Sequence, residues 1–301
     1  MIDLRRLHVL RAVAHYGTVT AAARALHFTP SAASQQVRQL ARDLGVDLLE
    51  PQGRGVRLTP AAESLLAHAD AIQARWVQAE LDLRADHGAP SGVLRVTGFT
   101  MAVSVLLAPM AARLGERHPK LSVRITEAGV LESFDLLFKG DIDLAVIEAT
   151  PRNPPLSDSR FDQRPLLDDP FDLVVPAGHR LAGRAGVDLA EAAREAWIAP
   201  VEDSPCRPRV LSACGAAGFT PEVVHHALDW NVTAHLIAHG LGVALIPRLA
   251  HLTPHLPIAR VRCTGNPHRK LLTCTRTGVH ARPAVAAALE ELRNLAPTAV
   301  A

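Results

Sequence analysis

Cysteine is scarce in this chain: Cys206, Cys214, Cys263 and Cys274 are the four it has. They are too few and too far apart for a disulfide scaffold and fit free thiols in a reducing compartment. Long apolar runs are missing too, with none near the roughly eighteen residues that mark a membrane span. The opening residues, MIDLRRLHVLRAV, hold neither an uninterrupted apolar stretch nor a small-residue cleavage site. Export and membrane insertion are therefore not expected, and the cytoplasm is the expected location. No Ser–His–Asp order, paired-carboxylate spacing or glycine-rich phosphate cradle stands out. Those absences weigh against an enzyme and call for no cofactor and no resident metal.

What is present is an ordinary globular composition, 48% hydrophobic and 21% charged, over 301 residues. That length predicts two or three domains. The net charge of +2 conceals a segregation: residues 1–60 carry eight arginines against four acids, and residues 61–87 carry two arginines against five acids. A positive excess confined to the amino-terminal end suits a polyanionic partner.

The spacing of Leu4, Leu7, Leu10, Val13 and Ala14 predicts a first amphipathic helix that ends near Gly17. Thr18 is placed to cap a second helix through Leu26, and His27 with Phe28 forms a break. Thr29 as cap and Pro30 as first helical residue open a third helix, which Gly45 stops. Val37, Leu40 and Leu44 make its buried stripe, while Ser31, Ser34, Gln35, Arg38 and Arg42 occupy the opposite face. Short hydroxyl and amide side chains with arginine suit base edges and phosphates in a major groove. Arg54 and Arg57, in the glycine-flanked stretch that follows, read as a two-stranded wing with cations available to phosphate.

The segments "TAAARALHFTPSAASQQVRQLARDLGVDLLE" and "GRGVRLTPAAESLL", with "DLAVIE" and "HGLGVALIP" further on, make the chain resemble the LysR-type transcriptional regulators. The resemblance implies an α/β protein with an N-terminal all-α winged helix-turn-helix, a long linker helix and a two-lobed periplasmic-binding-protein-like effector domain. It also implies that Ser34, Gln35, Gln36 and Arg38 face DNA; with Thr29, Ser31, Ala32, Arg54 and Arg57 from the reading of the helix and wing, these make the expected DNA-facing set. Ala41 departs from the acidic residue the family commonly places after the leucine, which puts one helix-surface ion pair in question. The expected domains are 1–60, a linker helix over 61–88, and an effector domain over 92–301.

From Leu58 the apolar positions Ala62, Leu65, Ala69, Ile72, Trp76, Ala79 and Leu83 alternate four- and three-residue steps, a heptad seam. Leu58, Leu65, Ile72, Trp76 and Leu83 are the expected dimer contacts, and the resemblance implies further assembly into tetramers. "DHGAPSG" marks a domain boundary. Beyond it, strand patterns at 94–97, 122–126, 144–147, 171–175, 243–246, 259–262 and 271–275 alternate with helical stretches, which predicts a largely parallel sheet. The two lobes are expected to exchange the chain near Phe161–Arg164 and Cys263–His268, with the second lobe over 163–264. Ligands of such sheets lie against the carboxyl ends of strands. "TGFTMAVS", "APVEDSPC" and "ALDWNVT" are the candidate stretches, and Thr97, Thr100, Met101, Glu148, Pro200, Glu202, Asp229 and Trp230 the candidate effector contacts.

The expected partners are double-stranded operator DNA, a small-molecule effector, a second copy of the chain and RNA polymerase. A two-lobed solute-binding or enzymatic domain with an accessory DNA module is the second reading, disfavoured by the missing export signal and catalytic set. His235 and His239, at i and i+4, raise metal sensing without a third ligand fixed by spacing. Cys206 and Cys214 resemble the second-lobe cysteine pair of peroxide-sensing relatives. On one helix their eight-residue separation is roughly 12 Å, beyond disulfide reach without unfolding.

Overall fold

The computed structural model describes residues 4–52, 55–83 and 89–299. Arg54 lies outside these residues, as do the side chains of Trp76 and Leu83. The chain divides into two compact units, the first ending after the long helix and the second holding nearly all of the remainder.

In the first unit, α1 (Leu4–Tyr16), α2 (Val19–Ala25) and α3 (Pro30–Leu44) form where the local signals place them. Thr18 Oγ1 accepts from Ala21 N at 3.1 Å, and Thr29 Oγ1 accepts from Ala32 N at 3.2 Å. Gly45 ends α3 in the left-handed conformation at φ 68°, a geometry glycine adopts without steric cost. Leu7, Leu10, Val13, Val37 and Leu40 are buried, so the apolar stripes of α1 and α3 share one core. Strands β1 (Leu49–Gln52) and β2 (Gly55–Leu58) pair antiparallel, from Leu49 opposite Leu58 to Gln52 opposite Gly55.

Helix α4 (Pro60–Leu83) follows, capped by Thr59, whose Oγ1 accepts from Ala62 N. Leu58 therefore belongs to the wing and is not on the helical seam, a correction that follows from the cap standing between them. Ala62 and Ala69 are buried within their own unit and Leu65 is half-buried, whereas Ile72 is 56% exposed. Arg11 of α1 pairs with the buried Asp70 of α4 at 2.8 Å.

The second unit has two lobes. In the first, β3 (Gly92–Gly98) is flanked by β4 (Leu121–Glu127) and β5 (Leu144–Glu148), both parallel to it. Its helices are α5 (Thr100–Ala102), a π turn (Val103–Leu107), α6 (Ala108–Arg117) and α7 (Val130–Lys139). The second lobe holds β7 (Ala196–Pro200), α8 (Arg207–Ala216), β8 (Glu222–Ala227), α9 (Trp230–Ala238), β9 (Ala244–Pro247) and β10 (Ile258–Arg262). Its core gathers around Trp197, which is fully buried and donates Nε1–H to Ala192 O at 3.1 Å. Helix α10 (Pro283–Ala299) closes the chain.

Two long strands join the lobes. β6 (Phe161–Pro176) pairs with β11 (His268–Arg276) up to Pro170, and its remainder pairs with β9 and β10. Phe161–Arg164 face Arg276–Thr273 of β11, which also pairs with β5, so this stretch still belongs to the first lobe's sheet. The crossing lies later than expected, at Asp168–Phe171, opposite the start of β11. The sheet is also less parallel than the strand–helix alternation predicts: β6 pairs antiparallel with β9, β10 and β11, and β5 pairs antiparallel with β11. Strand–helix alternation along the chain does not fix the direction of pairing: α8 and α9 lie between β6 and β11, yet these two strands run antiparallel because each crosses between the lobes in the opposite sense.

Candidate nucleic-acid interface and effector cleft

On α3, Ser31, Gln35 and Arg38 are exposed, and Ala32, Ser34 and Gln36 are half-buried on the same side. Thr29 combines its capping role with a hydroxyl contact to Ser31 at 3.1 Å. Arg38 makes no ion pair or hydrogen bond among the described residues, so its guanidinium is available to an external acceptor. Arg42, one turn on, is held by Gln39, which donates in turn to Asp43 at 2.7 Å. Arg57 on the wing pairs with Glu50 of the facing strand. That pair keeps the cation at the wing surface while reducing its net field.

The second unit encloses a cleft of about 1490 Å³ between its lobes. All three candidate stretches reach it: Phe99, Thr100 and Met101 from the first lobe, and Glu202 to Cys206 with Leu228, Asp229 and Trp230 from the second. Glu148 lines it from the end of β5. Thr97 and Pro200 do not. Thr97 is fully buried and donates its hydroxyl to Thr126 O at 2.6 Å, tying β3 to β4. Pro200 is buried with its carbonyl accepting from Arg207 Nη1 at 2.8 Å. Both end strands as expected, but strand alternation turns their side chains away from the opening.

The lining residues differ in how much of their polarity is already used. Thr100 donates its hydroxyl to Glu127 and does not cap the helix; Phe99 holds the cap position without a side-chain bond. Asp229 Oδ1 accepts from Asn231 N at 2.8 Å and Val232 N at 3.1 Å, so its charge faces the amino end of α9. Leu131 and Leu228 are exposed apolar residues at the cleft.

Beneath them lies a buried charge network. Glu148 Oε1 accepts from Arg209 Nε at 2.8 Å, and Oε2 accepts from Arg269 Nη1 at 3.4 Å. Arg269 Nε donates to Asp169 Oδ2 at 2.8 Å. The Cys206 thiol stands 3.8 Å from Glu148 Oε2 and 3.7 Å from Arg269 Nη1. Burial and the neighbouring Glu148 push that thiol's pKa up to about 12, so it remains protonated. Arg209 and Arg269 were not among the expected contacts. The available signal was the basic start of the strand "HRKLLTC", where Arg269, next to an apolar run, would need a partner if buried.

Among the described residues no group of three histidine, cysteine or acidic side chains is placed to hold a metal. His235 lies on α9 and His239 caps its end. Cys206 precedes α8 and Cys214 is near its far end, both buried and free. No helix among the described residues is long and apolar enough to cross a membrane.

A winged helix-turn-helix and a two-lobed α/β domain with an interlobe cleft define a DNA-binding protein coupled to a small-molecule receptor. Residues 4–63 match the family model "Bacterial regulatory helix-turn-helix protein, lysR family", and residues 87–297 match "LysR substrate binding domain". A probable hydrogen peroxide-inducible genes activator of Streptomyces viridosporus is 32% identical over 97% of this chain and 95% of its own length. A cysteine mutant of OxyR from Corynebacterium glutamicum shares the fold at TM-score 0.63 and 22% identity, covering 100% of this chain and 94% of that one. Full-length CbnR in complex with its target DNA aligns at TM-score 0.56 and 22% identity over 97% and 99% of the two chains. The chain belongs to the LysR family of transcriptional regulators. It is a DNA-binding regulator with an effector-binding domain.

Proposed function

We propose that this regulator reads a small molecule held between the lobes of its second unit and converts its presence into altered operator binding. The observation that carries this reading is the cleft itself, to which both lobes and the joining strand β11 contribute lining residues. A ligand touching both lobes binds one lobe arrangement better than another, and that difference in affinity is what shifts a conformational equilibrium. Thr100, Met101, Glu148, Glu202, Asp229 and Trp230 are the proposed contacts. Ser31, Ser34, Gln35, Gln36 and Arg38, with the wing arginines, are proposed to meet operator DNA. The protein acts in the cytoplasm, as a dimer through α4 and as a tetramer on DNA, contacts RNA polymerase and performs no chemistry of its own.

The test is a thermal-shift screen of the full chain against a metabolite panel, followed by operator-binding titrations with any hit. A ligand at a hundred times its dissociation constant adds about 2.7 kcal/mol of stability. Trp230→Ala and Thr100→Val should weaken the hit without altering ligand-free operator binding. A hit that binds both variants as well as the native chain places the site elsewhere.

The peroxide response in the name of the Streptomyces relative gives a second reading, favoured by the thiol of Cys206 beside Arg269 in the cleft. Its chemistry is poorly served here. A thiolate is the reactive form, and Cys206 is buried with its pKa near 12. The effector reading therefore takes precedence. Hydrogen peroxide should leave operator affinity and the free-thiol count unchanged; loss of two thiols with a change in operator binding would reverse that order.

A further inference from the structure

The floor and the rim of the cleft make opposite demands on a ligand. At the floor, Arg269 is 3% exposed, with Nε engaged by Asp169 and Nη1 by Glu148. Its Nη2 is buried and has no hydrogen-bond partner among the described residues. The guanidinium stands 5.0 Å from the centre of the Phe99 ring, and both residues line the opening. Buried donors of this kind are nearly always paired in folded proteins, so Nη2 is the donor that an acceptor on a ligand in the cleft would meet. The floor is otherwise balanced, Glu148 and Asp169 against Arg209 and Arg269. A ligand bringing a negative charge here without a cation of its own close by would leave the site with an uncompensated charge, which a low-dielectric environment penalises.

The rim carries the opposite excess. Glu132 of the first lobe and Glu202 and Asp203 of the second line the cleft and are exposed. None of the three makes an ion pair or hydrogen bond among the described residues. Arg152 is the rim guanidinium that lacks an acid partner, also among the described residues. Three uncompensated carboxylates facing one arginine attract a cation.

We infer that the cleft takes an amino-acid zwitterion, its carboxylate completing Arg269 Nη2 at the floor and its protonated amine facing Glu132, Glu202 and Asp203. A zwitterion meets both demands and leaves the net charge of the cleft unchanged; a simple acid or a simple amine meets one and worsens the other. This rests on the cleft being the effector site.

The inference is tested by calorimetric titration of the full-length protein with each of the protein amino acids and with straight-chain ω-amino acids. Each binder is then compared with its des-amino acid and its decarboxylated amine. At least one amino acid binds, and loss of either group weakens it roughly tenfold or more. Glu202→Gln combined with Asp203→Asn leaves the floor intact. That pair should weaken the amino acid several-fold while sparing its des-amino counterpart, and it avoids the folding risk of altering Arg269. The inference is overturned by a des-amino acid or amine that binds as tightly as the zwitterion, by native affinity in the double variant, or by no amino acid binding up to about 10 mM. A purely anionic or uncharged hit that Trp230→Ala weakens would overturn it while leaving the cleft as the effector site. Hits unaffected by Trp230→Ala would remove both.

Discussion

Arg209 of the second lobe donates Nε–H to Glu148 of the first at 2.8 Å, so a charge pair closes the cleft floor from both sides. Glu148 serves Arg269 with its other oxygen and is 2% exposed. Glu148→Ala would leave two guanidinium groups without that acceptor, one of them almost fully buried. We expect a loss of about 3–5 kcal/mol, the typical cost of breaking a buried pair from one side. It would be read as a lower denaturation midpoint of the effector-binding unit. An unchanged midpoint would show that water replaces the carboxylate at no cost.

On α3, Arg38 is an exposed cation without a partner among the described residues, whereas Arg57 is paired with Glu50. Arg38→Ala is expected to cost about 1–3 kcal/mol of operator affinity if it contacts a base, with specificity relaxed at one position. Arg57→Ala should weaken operator and unrelated DNA alike and reduce the salt dependence. Fluorescence anisotropy at several salt concentrations separates the two; equal losses on operator and random DNA for Arg38→Ala would make it a phosphate contact.

Ile72, in the middle of α4, is an apolar residue that the described residues leave 56% exposed. Ala62 and Ala69 on the same stripe are already buried. Ile72→Arg should place like charges across a dimer seam and yield monomers in sedimentation analysis. A native mass for this variant would move the dimer contact away from this face of α4.

Gly242 lies at φ +149°, and a Cβ there would stand 2.6 Å from Ala196 O. That carbonyl accepts from Val243 N at 2.9 Å, one of the bonds joining β7 to the segment that leads into β9. Gly242→Ala is therefore expected to destabilise the second lobe by about 1–3 kcal/mol, with operator binding by the first unit retained. A native-like melt would mean that β7 shifts to admit the methyl group.

The helix-turn-helix was legible because its signals are local. Thr18, Thr29, Pro30 and Gly45 each act within a few residues, and the structure puts each in the capping role its type suggests. The helices of the effector domain were legible for the same reason. The joining strand was not, because "FDQRPLLDDPFDLVVP" mixes a polar, proline-interrupted half with an apolar one, and only the apolar half has a clear strand pattern. Strand β8, "EVVHHA", was missed because its edge position tolerates polar residues. The floor of the cleft was hidden by distance along the chain. Arg209 and Arg269 meet Glu148 across 61 and 121 residues, and no periodicity reports a contact of that range.

The ladder between β6 and β11 slips at the crossing: Leu271 faces Leu167, but Leu272 faces Pro165, so Leu166 has no opposite number. Such an extra residue bends its strand and increases the local right-handed twist. Just beyond it, Asp169 and Arg269 lie opposite each other and are ion-paired, which resists sliding of one strand along the other. The strand that carries the chain from one lobe to the other is therefore bent by one unpaired residue and locked in register three residues later, so the relative orientation of the two lobes is set within the span Leu166–Asp169.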